Sequence, residues 1–427
     1  MRFIPQGLSR DRLEKIQLEG LKRTVAHAYA QSPFYKQKFD QTGVGPDDIR
    51  ALADIRHLPI IDKEDLQQGY PFPLRAVPFE KIVRIHASSG TTGKRKVLCY
   101  TQKDVDDWAD MFARCYELAG LTREDRVQIA VGYGLWTAGV GFQAGCERFG
   151  AMAVPLGPAN ADMHCEMLVD METTVFCATA SMALLMAEEI QKRNLLSKIK
   201  VNKIILGAER HSDAMRARIK ELMNVDHIFD IYGLTELYGP GTGLDCTRHN
   251  GIHYWADYFI FEILDPQTLK PVDAGQEGEL VVTTLCKEGS PLIRYRTHDV
   301  TRILDHDCPC GIGLPMHDRI MGRTDDMFIY RAVNIYPSQI DHVLSGIDGL
   351  GSEYQIHLQH REDGRDVMRI KIERREDGLK AEDAALAEKV AHAVRHKILV
   401  RSEVEIVDYG TFPRTERKSK RVFDLRG

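Results

Sequence analysis

Between about residues 80 and 235 the chain alternates between two textures. Short apolar, β-rich runs recur: VQIAV from Val127, AMAVPL from Ala151, TVFCATA from Thr174, KIILG over Lys203–Gly207 and HIFDIYG from His227. Helical patterns separate them, among them a helix over Ser212–Met223 with Ser212 as its cap. Strands this uniformly apolar must be covered on both faces. Helices between them supply that cover, which predicts a layered α/β domain built on a parallel sheet.

The rest of the chain reads differently. Residues 9–42 carry helical spacing, with Leu13, Ile16, Leu21 and Val25 recurring behind a capping Ser9. Strand signals dominate from 252 to 304, over Ile252–Leu264, Gly278–Leu285 and Val300–Leu304. After Gly322-Arg323-Thr324-Asp325-Asp326 come two apolar strands, a charged helix at about 381–398 and a strand over Glu403–Val407. With 427 residues, more than one core is expected. The predicted organisation is a large layered N-terminal domain, 1–324, with a β-rich subdomain at about 246–322. A small, mobile α+β domain follows at 325–427.

Bulk properties exclude several functions. The net charge of −5 argues against sequence-independent nucleic-acid binding. No run approaches the roughly 20 apolar residues of a membrane helix, and the N-terminus lacks a signal-peptide core. A cytoplasmic enzyme is expected, and a homodimer is left open.

The strongest local signal follows the apolar run Ile82–Ile85. It reads His86-Ala87-Ser88-Ser89-Gly90-Thr91-Thr92-Gly93-Lys94. Small hydroxyl residues and glycines expose backbone N–H groups, and Lys94 adds a positive charge, which suits a polyphosphate. Gly90 and Gly93 are too close for a Walker A loop, and no Ser or Thr follows Lys94.

Further motifs follow in order: Gly207-Ala208-Glu209, Asp230-Ile231-Tyr232-Gly233-Leu234-Thr235-Glu236, Arg294-Tyr295-Arg296-Thr297-His298-Asp299, Gly322–Asp326, and Pro413-Arg414-Thr415-Glu416-Arg417-Lys418. In this set the chain resembles the adenylate-forming superfamily of acyl-CoA synthetases, luciferases and peptide-synthetase adenylation domains. It is most similar there to the phenylacetate–CoA ligases. The resemblance implies activation of an aromatic or arylacetic acid as an acyl-AMP with release of pyrophosphate, then thioester formation with coenzyme A. Lys418 is then the catalytic cation, with Lys420 its neighbour and competitor. Thr235 is implied to donate to the α-phosphate, and Glu236 to hold magnesium. ATP is implied to lie against Ser88 to Lys94, Ala208, Glu209, Asp230, Tyr232, Gly233, Asp299 and Arg323, with Asp299 on the ribose. Asp325 is the implied hinge. The acyl pocket is implied at Tyr133, Trp136, Ala208, Leu237 and Pro240.

The chain departs from its relatives at Arg417 and Ala332, where they carry glycine, and at Arg95, where many carry proline. The first two keep open a transfer to a carrier-protein thiol, or to a cofactor hydroxyl as in the related coenzyme F390 synthetases. A non-catalytic nucleotide sensor would predict loss of Lys418, Glu236 or Asp299, and all three are present.

Of nine cysteines, most sit singly in apolar surroundings and read as small buried hydrophobes. Cys308-Pro309-Cys310 differs. With Cys246 and His253 it makes a tetrahedral zinc set, for which His249 and His306 are rival ligands. The resemblance supports a structural zinc at this place.

Overall fold

The computed structural model describes residues 2–88, 94–331, 333–360, 366–412 and 421–426. Ser89 to Gly93, Ala332, Arg417, Lys418 and Lys420 lie outside the described residues. The chain forms two compact units. One comprises residues 1–178, 199–208 and 227–320, and the other 179–198, 209–226 and 321–427.

In the first unit the predicted alternation becomes one half of a nine-stranded sheet. Met152–Val154, Arg126–Ile129, Val175–Ala178, Lys203–Leu206 and His227–Leu234 run parallel in that spatial order. The buried strand Val175–Ala178 shows why the run was continuously apolar: all four residues are inaccessible. At His227–Leu234 the sheet changes character. Gly239–Asp245, Ile252–Tyr254, Met316–His317 and Ile303–Leu304 continue it antiparallel. A separate antiparallel sheet contains Phe259–Leu264, Gly278–Thr284 and Tyr295–Thr301.

Three local expectations need correction. The N-terminal helix breaks into Arg10–Gln31 and Pro33–Thr42, because the residue before a proline is pushed out of the helical region and Ser32 is extended. Ile252–Leu264 divides into two strands on different sheets. The strand expected from Val300 begins at Tyr295, so Asp299 lies inside it. Its pattern was hidden because polar side chains occupy buried positions there: Thr297 and Asp299 are 2% and 4% exposed.

The second unit holds the helices Ala180–Lys192 and Asp213–Met223, the latter capped by Ser212, whose Oγ accepts from Met215 N. It also holds a sheet in the order Glu403–Val407, Asp366–Arg374, Leu350–His360, Val422–Asp424. The helix Asp383–Ile398 and a helix the sequence reading missed, Pro337–Ser345, contribute Val390, Val394, Ile340 and Leu344 to a core with Ile356 and Ile370. Among the described residues no helix is long and apolar enough to cross a membrane.

Candidate active site

The neck of the phosphate loop is an antiparallel hairpin, Arg84–Ala87 with Val97–Tyr100. Ser88 N donates to Lys96 O at 3.1 Å, and Lys96 N donates to Ser88 Oγ at 3.3 Å, closing the loop's base. Lys94 is exposed, its Nζ 5.5 Å from the centroid of the Tyr70 ring.

The turn Leu234–Tyr238 leaves the sheet where its strands change from parallel to antiparallel. In open α/β sheets, ligand sites form beyond the carboxyl ends of the strands. Gly233 is required here by close approach: a Cβ would lie 2.0 Å from Gly239 O. The carboxylate of Glu236, 5% exposed, forms an ion pair with Lys96 and accepts from the Tyr295 hydroxyl at 3.3 Å. Thr235 Oγ1 lies 3.4 Å from Thr137 Oγ1.

Two tyrosines cross between the motifs. Tyr232 donates to Asp299 Oδ2 at 2.8 Å, and Tyr295 to Glu236, so each motif's tyrosine holds the other motif's carboxylate. Asp230 N donates to Asp245 Oδ1 at 2.8 Å, and the Asp230 carboxylate pairs with Arg319 at 3.2 Å. Ala208 has φ +69°, a left-handed conformation uncommon for alanine and frequent at ligand sites.

Thr235, Glu236, Asp230, Tyr232, Gly233, Asp299, Ser88 and Lys94 therefore share the first unit. Glu209, Arg323 and Asp325 belong to the second. There Glu209 accepts from Ser181 N at 2.5 Å, and Arg323 pairs with Asp325 at 3.0 Å. Lys96, Tyr295, Arg319 and Lys287 make contacts with these motif residues that no sequence motif assigns to them. The signal for Lys96 was a third cation in Lys94-Arg95-Lys96, and for Tyr295 its place inside a recognised motif.

The segment Gly132–Gly139, where the acyl pocket is expected from sequence, depends on ring-against-glycine contacts. A Cβ on Gly139 would lie 2.5 Å from the Tyr133 ring, and one on Gly132 would lie 2.9 Å from Trp136. Trp136 is half-buried, Leu237 is inaccessible, and Pro240 O accepts from Trp108 Nε1 at 2.9 Å.

The four expected metal ligands converge. One donor atom from each of Cys246, His253, Cys308 and Cys310 lies within 4.8 Å of all the others. Cys246 Sγ is 3.5 Å from Cys308 Sγ, and Cys310 Sγ is 3.3 Å from His253 Nε2. A tetrahedral zinc with metal–ligand bonds of about 2.0–2.3 Å separates its ligands by roughly 3.3–3.8 Å, so the set fits. His253 Nδ1 lies 3.1 Å from Leu314 O, which orients Nε2 towards the thiols, and burial lowers its pKa and keeps the ring neutral. The rivals are elsewhere: His249 engages Asp245 at 2.7 Å and His227 at 3.1 Å, and His306 is exposed.

A loop whose sequence suits a polyphosphate, and crossed acidic motifs where the sheet turns from parallel to antiparallel, point to an adenylate-forming enzyme. The comparisons agree. Residues 21–286 match the AMP-binding enzyme family and 332–426 the AMP-binding enzyme C-terminal domain. The phenylacetate-coenzyme A ligase of Escherichia coli (strain K12) is 40% identical, over 97% of this chain and 95% of that one. That of Thermus thermophilus is 38% identical, over 99% and 98%. A solved 2-hydroxyisobutyryl-CoA ligase, in the postadenylation state with 2-HIB-AMP, superposes with a TM-score of 0.89 at 27% identity, covering 100% of this chain and 92% of that one. The chain belongs to the AMP-binding enzymes, in the phenylacetate–CoA ligase family. It is an AMP-forming acid–CoA ligase: ATP and a carboxylic acid give an acyl adenylate and pyrophosphate, and coenzyme A then takes the acyl group.

Proposed function

We propose that the acid is aromatic or arylacetic, as the names of the phenylacetate-coenzyme A ligases among its relatives suggest, and that the two crossed motifs divide the work of adenylation. A carboxylate oxygen attacks the α-phosphorus of ATP, and the bond to the β-phosphate oxygen breaks, releasing pyrophosphate. Both reactants are anions, so charge must be neutralised and geometry fixed. Glu236 would hold magnesium, which would supply positive charge against the phosphates. Lys96 balances Glu236 within the protein. Thr235 donates to the α-phosphate, and Asp299 accepts from the ribose hydroxyls. Ser88 to Lys94 line the phosphates, Ala208 and Glu209 border the adenine, and Arg323 clamps the nucleotide. Lys418 supplies the transition-state cation.

The thiolate of coenzyme A then attacks the acyl carbon, and AMP leaves. A domain over 325–427, turning at Asp325, serves both steps, since hinge residues absorb the backbone change between conformations. Tyr133, Trp136, Ala208, Leu237 and Pro240 bound the acyl group, whose ring packs on the aromatics. Cys246, His253, Cys308 and Cys310 would hold a zinc with a structural role, since the four residues already complete a tetrahedral set. The observation that carries the reading is the crossed pair, Tyr232 on Asp299 and Tyr295 on Glu236.

The test is acid-dependent pyrophosphate release over benzoic, phenylacetic and aliphatic acids, with and without coenzyme A, for the native protein and Lys418→Ala. Aromatic or arylacetic acids should release pyrophosphate and yield thioester, and Lys418→Ala should abolish release. A preference for aliphatic acids overturns the acid class. Acyl-AMP that never reaches coenzyme A transfers the assignment to a carrier-protein thiol or a cofactor hydroxyl.

A further inference from the structure

Cys286-Lys287-Glu288-Gly289-Ser290 reads in sequence as a polar surface turn, yet Lys287 is 2% exposed. Its Nζ donates to Glu236 O at 3.1 Å and, over a shorter distance, to Leu237 O. It sits 4.5 Å from the centroid of the Tyr100 ring and 4.8 Å from that of Tyr238. The Tyr100 hydroxyl lies 3.3 Å from Thr235 O and 2.8 Å from Tyr238 O. Four consecutive carbonyls, Thr235 to Tyr238, are thus met by two side chains from outside the turn.

The loop that carries Lys287 is itself anchored. Glu288 N and Gly289 N each donate to the carboxylate of Asp104 at 2.8 Å, and Asp104 is wholly buried at the start of the helix Gln102–Leu118. Gly289 passes so close to Cys99 that a Cβ would lie 2.4 Å from its carbonyl oxygen. A rigid line therefore runs from that helix through Lys287 to the two peptide planes on either side of Leu237, the first of which carries the Glu236 carbonyl.

We propose that Lys287 is a positioning residue for adenylation, which fixes the backbone of the Thr235–Glu236 turn and so sets where the Glu236 carboxylate presents itself to the magnesium–phosphate complex. This rests on the reading of Glu236 as the magnesium ligand. Burying an amine costs desolvation that a methionine of similar shape avoids. The two N–H bonds to carbonyls are what a methionine cannot provide. Freeing those peptide planes displaces Glu236 without removing it, and a displacement of about 1 Å in a catalytic group can cost roughly 10²-fold in rate.

The experiment is ATP–pyrophosphate exchange titrated with Mg²⁺, on the full chain, for Lys287→Met, Glu236→Gln and a control, Lys103→Met. Lys103 donates to Cys286 O at 3.2 Å and braces the same loop from outside. Lys287→Met should slow exchange about 10²-fold, from the same positioning argument, and raise the half-saturating Mg²⁺ concentration several-fold. Lys103→Met should lower the melting temperature and leave the Mg²⁺ midpoint unchanged. A role confined to stability would move the two lysine variants alike. If Lys287→Met fails to fold, Tyr100→Phe, which loses only the hydroxyl, carries the test and should shift the midpoint in the same direction. A native Mg²⁺ midpoint and rate in the folded clamp variant, while Glu236→Gln shifts both, overturns the inference and leaves the magnesium reading standing. A native midpoint in Glu236→Gln as well overturns both.

Discussion

The Tyr232 hydroxyl donates to Asp299 Oδ2 at 2.8 Å, joining two strands that belong to different sheets. Both residues are buried, at 6% and 4% exposure. A hydrogen bond to a charged group is worth about 1.5–3 kcal/mol. Tyr232→Phe removes the bond and keeps the ring. It should raise the KM for ATP about tenfold, in line with the lower end of that range, and change kcat less, because Asp299 is read as binding ribose rather than the reacting phosphate. Steady-state kinetics at saturating acid and coenzyme A give the answer. An unchanged KM for ATP removes Tyr232 from the nucleotide site.

Arg294 opens the same motif but faces away from the chemistry. Its guanidinium grips Glu262 through two bonds of 3.1 and 3.0 Å and donates to the carbonyls of Arg56 and Leu58, each at 3.0 Å. Both side chains are largely buried. Removing one partner of a buried pair leaves a stranded charge, at a cost of about 3–5 kcal/mol. Glu262→Leu should therefore lower the melting temperature by several degrees, and adding Arg294→Met should recover much of the loss. A double variant less stable than Glu262→Leu alone shows that Arg294 acts chiefly through the two carbonyls.

Parts of this architecture were legible in the sequence because the physics there is local. Val175–Ala178 is buried on both faces and so continuously apolar. Ser212 caps its helix with its own hydroxyl. The close spacing of Cys308 and Cys310 marked a ligand pair, and an upstream cysteine and histidine completed the set now seen within 4.8 Å. What stayed hidden depends on distant partners. Lys287 looks solvated because its acceptors are 51 and 50 residues away. The strand Tyr295–Thr301 alternates polar residues in a buried setting, so no apolar period announces it. The crossing of Tyr232 and Tyr295 depends on how two sheets meet.

The cysteine cluster predicts a metal content. Purified protein should carry one zinc per chain, and Cys308→Ser should lose it and melt at a lower temperature. Structural zinc contributes to folding directly, and its cysteine ligands bind as thiolates. Burial first, and then the neighbouring Cys308 and Cys310 thiols, push the Cys246 thiol up to about 12 against the Arg248 N–H, and a bound cation would reverse that shift by favouring the thiolate. Elemental analysis of native protein and variant checks it. Native protein free of zinc and every other transition metal refutes the assignment.

Lys287 also predicts a pH dependence. Burial lowers its pKa from the ordinary lysine value of 10.5 to about 7, and Asp104, Cys99 and Glu236 oppose that shift only in part. A neutral amine retains two N–H donors, enough for the two carbonyls it serves. The sign follows from proton counts. Between about pH 7 and 10.5 the unfolded chain holds a proton that the folded chain has released, so this residue makes stability rise with pH across that window. Below pH 7 both states are protonated, and the penalty for burying the ammonium is constant. Methionine at 287 removes the proton and the penalty together. The melting temperature of the native protein minus that of Lys287→Met should therefore move in favour of the native protein as pH rises from 6.5 to 9.5, most of the change falling above pH 7. Other titrating groups are common to both proteins and cancel in the difference. Thermal melts of the pair at four pH values suffice, and a flat difference shows that Lys287 keeps an ordinary pKa and remains an ammonium inside the clamp.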